Sequence, residues 1–96
     1  MQRDGRATAR QREHSKLVIT GVDASGLAFE ERTEAYDISE DGLSFYLSHP
    51  LWINSQLTAE VVSSSIFASS HVTRAMVIRI QPAPSGKQLV AARFNE

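Results

Sequence analysis

Beyond residue 15, apolar and polar positions alternate along most of the chain, and clusters of Gly, Pro, Ser, Asn and Asp interrupt the alternation. A period of two marks a half-buried strand, so each alternating stretch reads as a strand and each cluster as a turn. Residues 17–20 (LVIT) are short and β-branched, and 22–26 (VDASG) turn the chain back into a second strand at about 27–38. A turn at 40–42 precedes a third strand, 43–47, with Leu43, Phe45 and Leu47 on one face and Ser44, Tyr46 and Ser48 on the other. Residues 49–55 (HPLWINS) form a loop, because Pro50 cannot donate to a ladder and Asn54-Ser55 favours a bend. A fourth strand spans 56–62, with Leu57, Ala59 and Val61 alternating against Thr58 and Glu60. Ser63–Ser65 marks a turn or bulge, and the serine-rich 63–70 reads as a loop or solvated edge. The best part of the fifth strand is 72–80, expected with Met76, Ile78 and Ile80 inward. PAPSG at 82–86 is a hairpin turn, and 88–94 is the sixth strand.

No stretch sustains a 3.6-residue period with caps, and there is no internal repeat. Six short strands at close spacing predict an all-β domain, an antiparallel barrel or sandwich. With 96 residues the chain allows one domain with a modest core. The polar stretch 1–14 holds no apolar residue larger than Ala after Met1, so it is read as a flexible arm, with the barrel occupying 15–96.

Charge sharpens this division. The formal net charge is −1, yet Arg3, Arg6, Arg10, Arg12 and Lys16 all lie within the first 16 residues. Residues 23–41 carry Asp23, Glu30, Glu31, Glu34, Asp37, Glu40 and Asp41 against Arg32 alone. A basic arm on a neutral-to-acidic body suits a small anionic partner better than a duplex nucleic acid, which wants positive charge over a whole face. The chain has no cysteine, which excludes a disulfide framework, a thiolate metal site and a cysteine nucleophile. No apolar run approaches a membrane span and no apolar signal core is visible, so a cytoplasmic protein is expected.

Two short constellations carry candidate chemistry. In Arg6-Ala7-Thr8-Ala9-Arg10 the four-residue spacing puts two guanidiniums on one side of the arm. Such a fork grips a phosphate, pairs with guanine O6 and N7, or stacks on a base. Taken alone, the pair reads more simply as a solvated basic tail, since two arginines four apart are common. In Asp37-Ile38-Ser39-Glu40-Asp41-Gly42, Asp37 and Ser39 face away from Ile38, and Gly42 permits a left-handed turn after them. A carboxylate suits the N1–H and N2–H₂ edge of guanine. The alternative is turn chemistry, with Asp and Ser satisfying backbone N–H groups around a hairpin.

Together the two constellations resemble the PilZ family, whose hallmarks are an RxxxR motif in an N-terminal arm and a D/NxSxxG motif on the barrel. Here they stand as RATAR at 6–10 and DISEDG at 37–42. GLSF continues the second motif, and AMVIRI at 75–80 and a closing strand ending in Arg93-Phe94 extend the resemblance over nearly the whole chain. It implies a six-stranded antiparallel β-barrel of the PilZ-like split-barrel type and a receptor for cyclic di-GMP, with no further cofactor. Arg6 and Arg10 would hold phosphate and guanine, Asp37 and Ser39 the guanine edge, and Gly42 would keep the turn clear. The arm would order over the ligand, and the signal would pass to a downstream protein partner, the receptor being a monomer or weak homodimer. Three features depart from the family: Ala91 replaces a frequent glycine, Asn54-Ser55 stands where the loop often ends in glycine, and the family's C-terminal helix is missing.

Other residues suggest less. His14, His49 and His71 are scattered, without the convergence a metal site needs. Trp52 is expected to cap one end of the barrel rather than stack on a base. Tyr36 and Tyr46 are expected at the surface, and Glu30, Glu31 and Glu34 on a solvated strand or turn. No nucleophile, base and orienting group form a catalytic set, so the chain reads as a non-enzyme. Two other readings compete with a cyclic di-GMP receptor. One is a PilZ-like protein–protein adaptor that binds no nucleotide. The other is a single-stranded nucleic-acid barrel, which wants aromatics and cations interleaved on its strands.

Overall fold

The structure, a computed structural model, describes residues 10–11, 15–62 and 71–95. The strands are β1 (Arg10–Gln11), β2 (Lys16–Val22), β3 (Ala28–Ser39), β4 (Gly42–Leu47), β5 (Gln56–Val62), β6 (His71–Pro82) and β7 (Gln88–Phe94). Every pairing is antiparallel. The order β3-β2-β5-β6-β7-β4 returns to β3, so six strands close a barrel and the two-residue β1 adds to the outer edge of β3. The expected all-β, six-stranded antiparallel barrel is therefore the observed one. A 3₁₀ turn, Pro84–Gly86, caps the hairpin between β6 and β7.

Closure turns one face of every strand inward. Leu17 and Ile19 of β2, Phe45 and Leu47 of β4, Leu57 and Ala59 of β5, and Val90 and Ala92 of β7 fill the interior. Ile38, Val61 and Ile80 pack against this core from half-buried positions. The long strands β3 and β6 bend around the barrel through irregularities, one between Ala35 and Asp37 and one between Val77 and Arg79.

The second irregularity corrects the expected phase of β6. Ala75 and Val77 are the fully buried residues, Met76 is half-buried on the outer face, and Ile78 is 46% exposed. Alternation alone chose the larger apolar residues, but both phases of this strand are apolar, and the bulge returns only Ile80 to the core side. Trp52 is also corrected. It is 68% exposed, and its neighbour Leu51 is the buried residue of that loop. A third correction concerns Glu31. Its side chain is only 14% exposed, because it lies on the inward phase of β3. Tyr36 and Tyr46 do lie toward the surface, edge to face with ring centres 5.9 Å apart. The serine-rich stretch 63–70 lies outside the described residues.

Candidate functional site

Strand register gathers one group of sequence-flagged residues on the outer face of β3, β4, β7 and β6. Asp37 is in register with Ser44, Ser44 with Ala91, and Ala91 with Arg79. Three interstrand spacings of about 4.8 Å put the ends of this row about 14 Å apart. Beside it runs a second row: Arg10 opposite Ser39, and Gly42 opposite Arg93, which in turn faces Met76. The centre of both rows is small (Ser44, Ala91 and Gly42), so the floor is low and flat. An acceptor, Asp37, stands at one end and a guanidinium-bearing residue, Arg79, at the other.

These residues line a shallow cavity of about 250 Å³ that holds Asp37, Ser39, Asp41, Gly42, Ala91, Arg79 and Arg93. Enclosing ligand pockets run to about 300–1,000 Å³. A dinucleotide on this floor would keep one face uncovered. A larger hollow of about 450 Å³ lies by Arg32, Tyr46 and Lys87, and no sequence-flagged site residue lines it.

Each side chain has a local reason for its place. Ile38 packs toward the core, so Asp37 and Ser39, one residue to either side, face outward. The Asp37 Oδ1 atom is buried. The Ser39 hydroxyl donates to the Gly42 carbonyl oxygen at 3.4 Å and accepts from the Asp41 N–H at 3.3 Å. The turn chemistry weighed as an alternative is thus present at Ser39, through long contacts. Gly42 corrects another expectation. Among the described residues, the glycines with positive φ are Gly26 and Gly86, so Gly42 makes no left-handed turn. Glycine is needed there because a Cβ would collide with the carbonyl oxygen of Ala92 on β7.

Of the five residues singled out from the sequence, Asp37, Ser39 and Gly42 share one cavity, and Arg10 joins them through the backbone pairing of β1 with Ser39. Arg6 lies outside the described residues, as does most of the expected arm 1–14. Sequence reasoning gave no site role to Ser44, cited Arg79 and Arg93 only within the strands that extend the family resemblance, and noted Ala91 only as a departure from it. What joins them into wall and floor is outward phase on strands that become neighbours through barrel closure.

Among the described residues no group of three or more His, Cys, Asp or Glu could hold a metal ion, and no helix is long and apolar enough to cross a membrane. No family model matches the chain, and no curated protein matches it. Among solved structures, the barrel is similar to the inhibitor of motility MotI/DgrA of Bacillus subtilis. The TM-score is 0.73 at 22% identity, covering 92% of this chain and 41% of that one. This likeness shows a shared fold. The chain spans under half the length of that neighbour.

Proposed function

We propose that the chain is a cyclic di-GMP receptor of the PilZ type, a non-enzyme that binds the nucleotide on the outer face of β3, β4, β7 and β6. The observation that carries this reading is the assembly of Asp37, Ser39 and Gly42 into one flat-floored cavity beside the pairing of Arg10 with Ser39. The motif resemblance supplies the ligand class, and the fold shared with an inhibitor of motility supports it. Asp37 accepts from guanine N1–H and N2–H₂, Ser39 supplies a hydroxyl to the same edge, and Ser44 and Ala91 form the floor under a planar base. Arg79 and Arg93 offer forks of donors to phosphate from one side, and Arg6 and Arg10 from the other. The uncovered face of the ligand is where the basic arm folds down. A downstream protein partner in the cytoplasm then reads the ordered arm and the surface around it.

Calorimetric titration with cyclic di-GMP, cyclic di-AMP and GTP tests the reading. Adenine presents an acceptor at N1, so a site built on Asp37 leaves hydrogen bonds unpaired and rejects it. Asp37→Ala removes a charge-assisted contact worth about 2 kcal/mol, or more than tenfold in affinity, without touching the core. Equal affinity for the two cyclic dinucleotides, or near-wild-type binding by folded Asp37→Ala, overturns the assignment.

A further inference from the structure

Ile78 and Arg79 line the candidate cavity and stand at the bulge where the register of β6 on β7 slips between Val77 and Arg79. The same bulge holds a second element. The Val77 N–H donates to the Ser55 carbonyl oxygen at 2.9 Å, and the Asn54 N–H donates to the Val77 carbonyl oxygen at 2.8 Å. Residues 52–55 form a turn closed on itself. The Ser55 N–H donates to the Trp52 carbonyl at 3.1 Å, and the Trp52 N–H donates to Ser55 Oγ at 3.2 Å. Asn54 sits at φ 76°, the left-handed region that Asn visits more readily than most residues. This turn displays Trp52 and Ile53, 68% and 49% exposed. The turn is held between buried Leu51 on one side and its backbone bonds to Val77 on the other.

A strand's register is fixed firmly when only one face is apolar. On β6, Ala75 and Val77 are buried while Met76 and Ile78 face outward, so hydrophobic burial discriminates poorly between neighbouring bulge positions. Coupling between sites needs an element that both sites touch, and this bulge lines the cavity through Ile78 and Arg79 and holds the turn through Val77.

We propose that occupation of the cavity fixes the Val77–Arg79 bulge in one register and, through Val77, orders the Trp52–Ile53 turn, so that this turn is the output of the ligand site. The proposal rests on the cyclic di-GMP reading above. Trp52 is the single tryptophan, so its emission reports on the turn without interference.

The test uses the full chain and cyclic di-GMP. Amide hydrogen exchange is followed residue by residue by NMR with and without ligand, alongside Trp52 emission and calorimetry. The expected result is at least fivefold slower exchange at Asn54 and Val77 on binding, a shift in Trp52 emission, and no change at Lys87, whose N–H bonds Pro84 within its own turn. Trp52→Ala is expected to bind within about twofold of wild type. Calorimetric binding with unchanged exchange at Asn54 and Val77 overturns the relay and leaves the receptor reading standing. So does a large affinity loss in Trp52→Ala, which would make the indole a direct ligand contact. Absence of calorimetric binding overturns both.

Discussion

At Gly42 the demand for glycine comes from the neighbouring strand. A methyl group there meets the Ala92 carbonyl oxygen and lies 3.1 Å from the Arg93 Cα, both backbone atoms of β7 that cannot swing aside. Gly42→Ala should therefore destabilise the barrel itself, by about 2 kcal/mol, which lowers the thermal midpoint by about 10 °C in a domain of this size. Thermal melts of Gly42→Ala and Asp37→Ala separate the two residues of one motif. The first should melt early, and the second should melt near wild type. A Gly42→Ala midpoint within 2 °C or so of wild type would contradict the steric argument. Val77 and Met76 make a second residue-scale test. Val77 is fully buried and Met76 is half-buried on the outer face. Val77→Ala should cost about 2 kcal/mol in denaturant melts and Met76→Ala under about 1. The reverse order would restore the inward phase read from alternation.

Between elements, the seam of β3 and β4 shows how side chains finish what the backbone ladder leaves open. Residue pairing between these strands ends at Ala35 and Phe45. Further along, the Thr33 hydroxyl donates to the Tyr46 carbonyl at 2.7 Å. Glu31 accepts from the Ser48 N–H at 3.1 Å, from the Ser48 hydroxyl at 2.7 Å, and lies 2.7 Å from His49 Nδ1. The His49 ring stacks on Phe29 with centres 4.5 Å apart, and its carbonyl accepts from the Gln88 side chain at 3.2 Å. Burial alone would push the Glu31 carboxyl up, but the hydrogen bonds from Ser48 and His49 outweigh it and leave this glutamate more acidic than usual. A carboxyl that is more acidic in the folded state stabilises the fold above its unfolded pKa, and this contribution fades as pH falls through the folded one. From pH 7 to pH 3 the wild-type midpoint should therefore drop further than that of Glu31→Gln. Parallel slopes in the two melting series would show that Glu31 does not latch the seam. None of this was visible in the sequence, where Glu30, Glu31 and Glu34 looked alike. Only the inward phase of β3 separates Glu31 from the other two.

Over the whole molecule, charge and core are divided along the chain. The buried residues described run from Leu17 to Ala92, while half of the ten Lys and Arg residues lie in the first 16 positions. Removing residues 1–9 takes away Arg3 and Arg6 and no described core contact. The shortened chain should melt near wild type and bind cyclic di-GMP at least tenfold more weakly. Its affinity should also depend less on salt, because exposed charge–phosphate attraction is screened at a Debye length of about 8 Å in physiological salt. Calorimetry of both chains at two salt concentrations measures this difference. Equal affinities would mean that the arm contributes nothing to the ligand.

The sequence by itself determined the six barrel strands, their bounds to within a few residues, and the inward phases of β4 and β5. In those segments turn chemistry and a single apolar phase agree. It also marked Asp37, Ser39 and Gly42, because they lie close together along the chain. Tertiary structure decided what depends on which strands become neighbours. Closure of β4 against β7 set the need for glycine at position 42 and brought Ala91 and Arg93 of β7, and through β7 Arg79 of β6, onto the same face as Asp37. It also reversed the phase read for Met76 and Ile78 in β6, where both faces are apolar and the bulge at Val77–Arg79 returns only Ile80 to the core side. Local composition carries turns and alternation, whereas register across a barrel is a property of pairs of strands, which no single stretch of sequence contains.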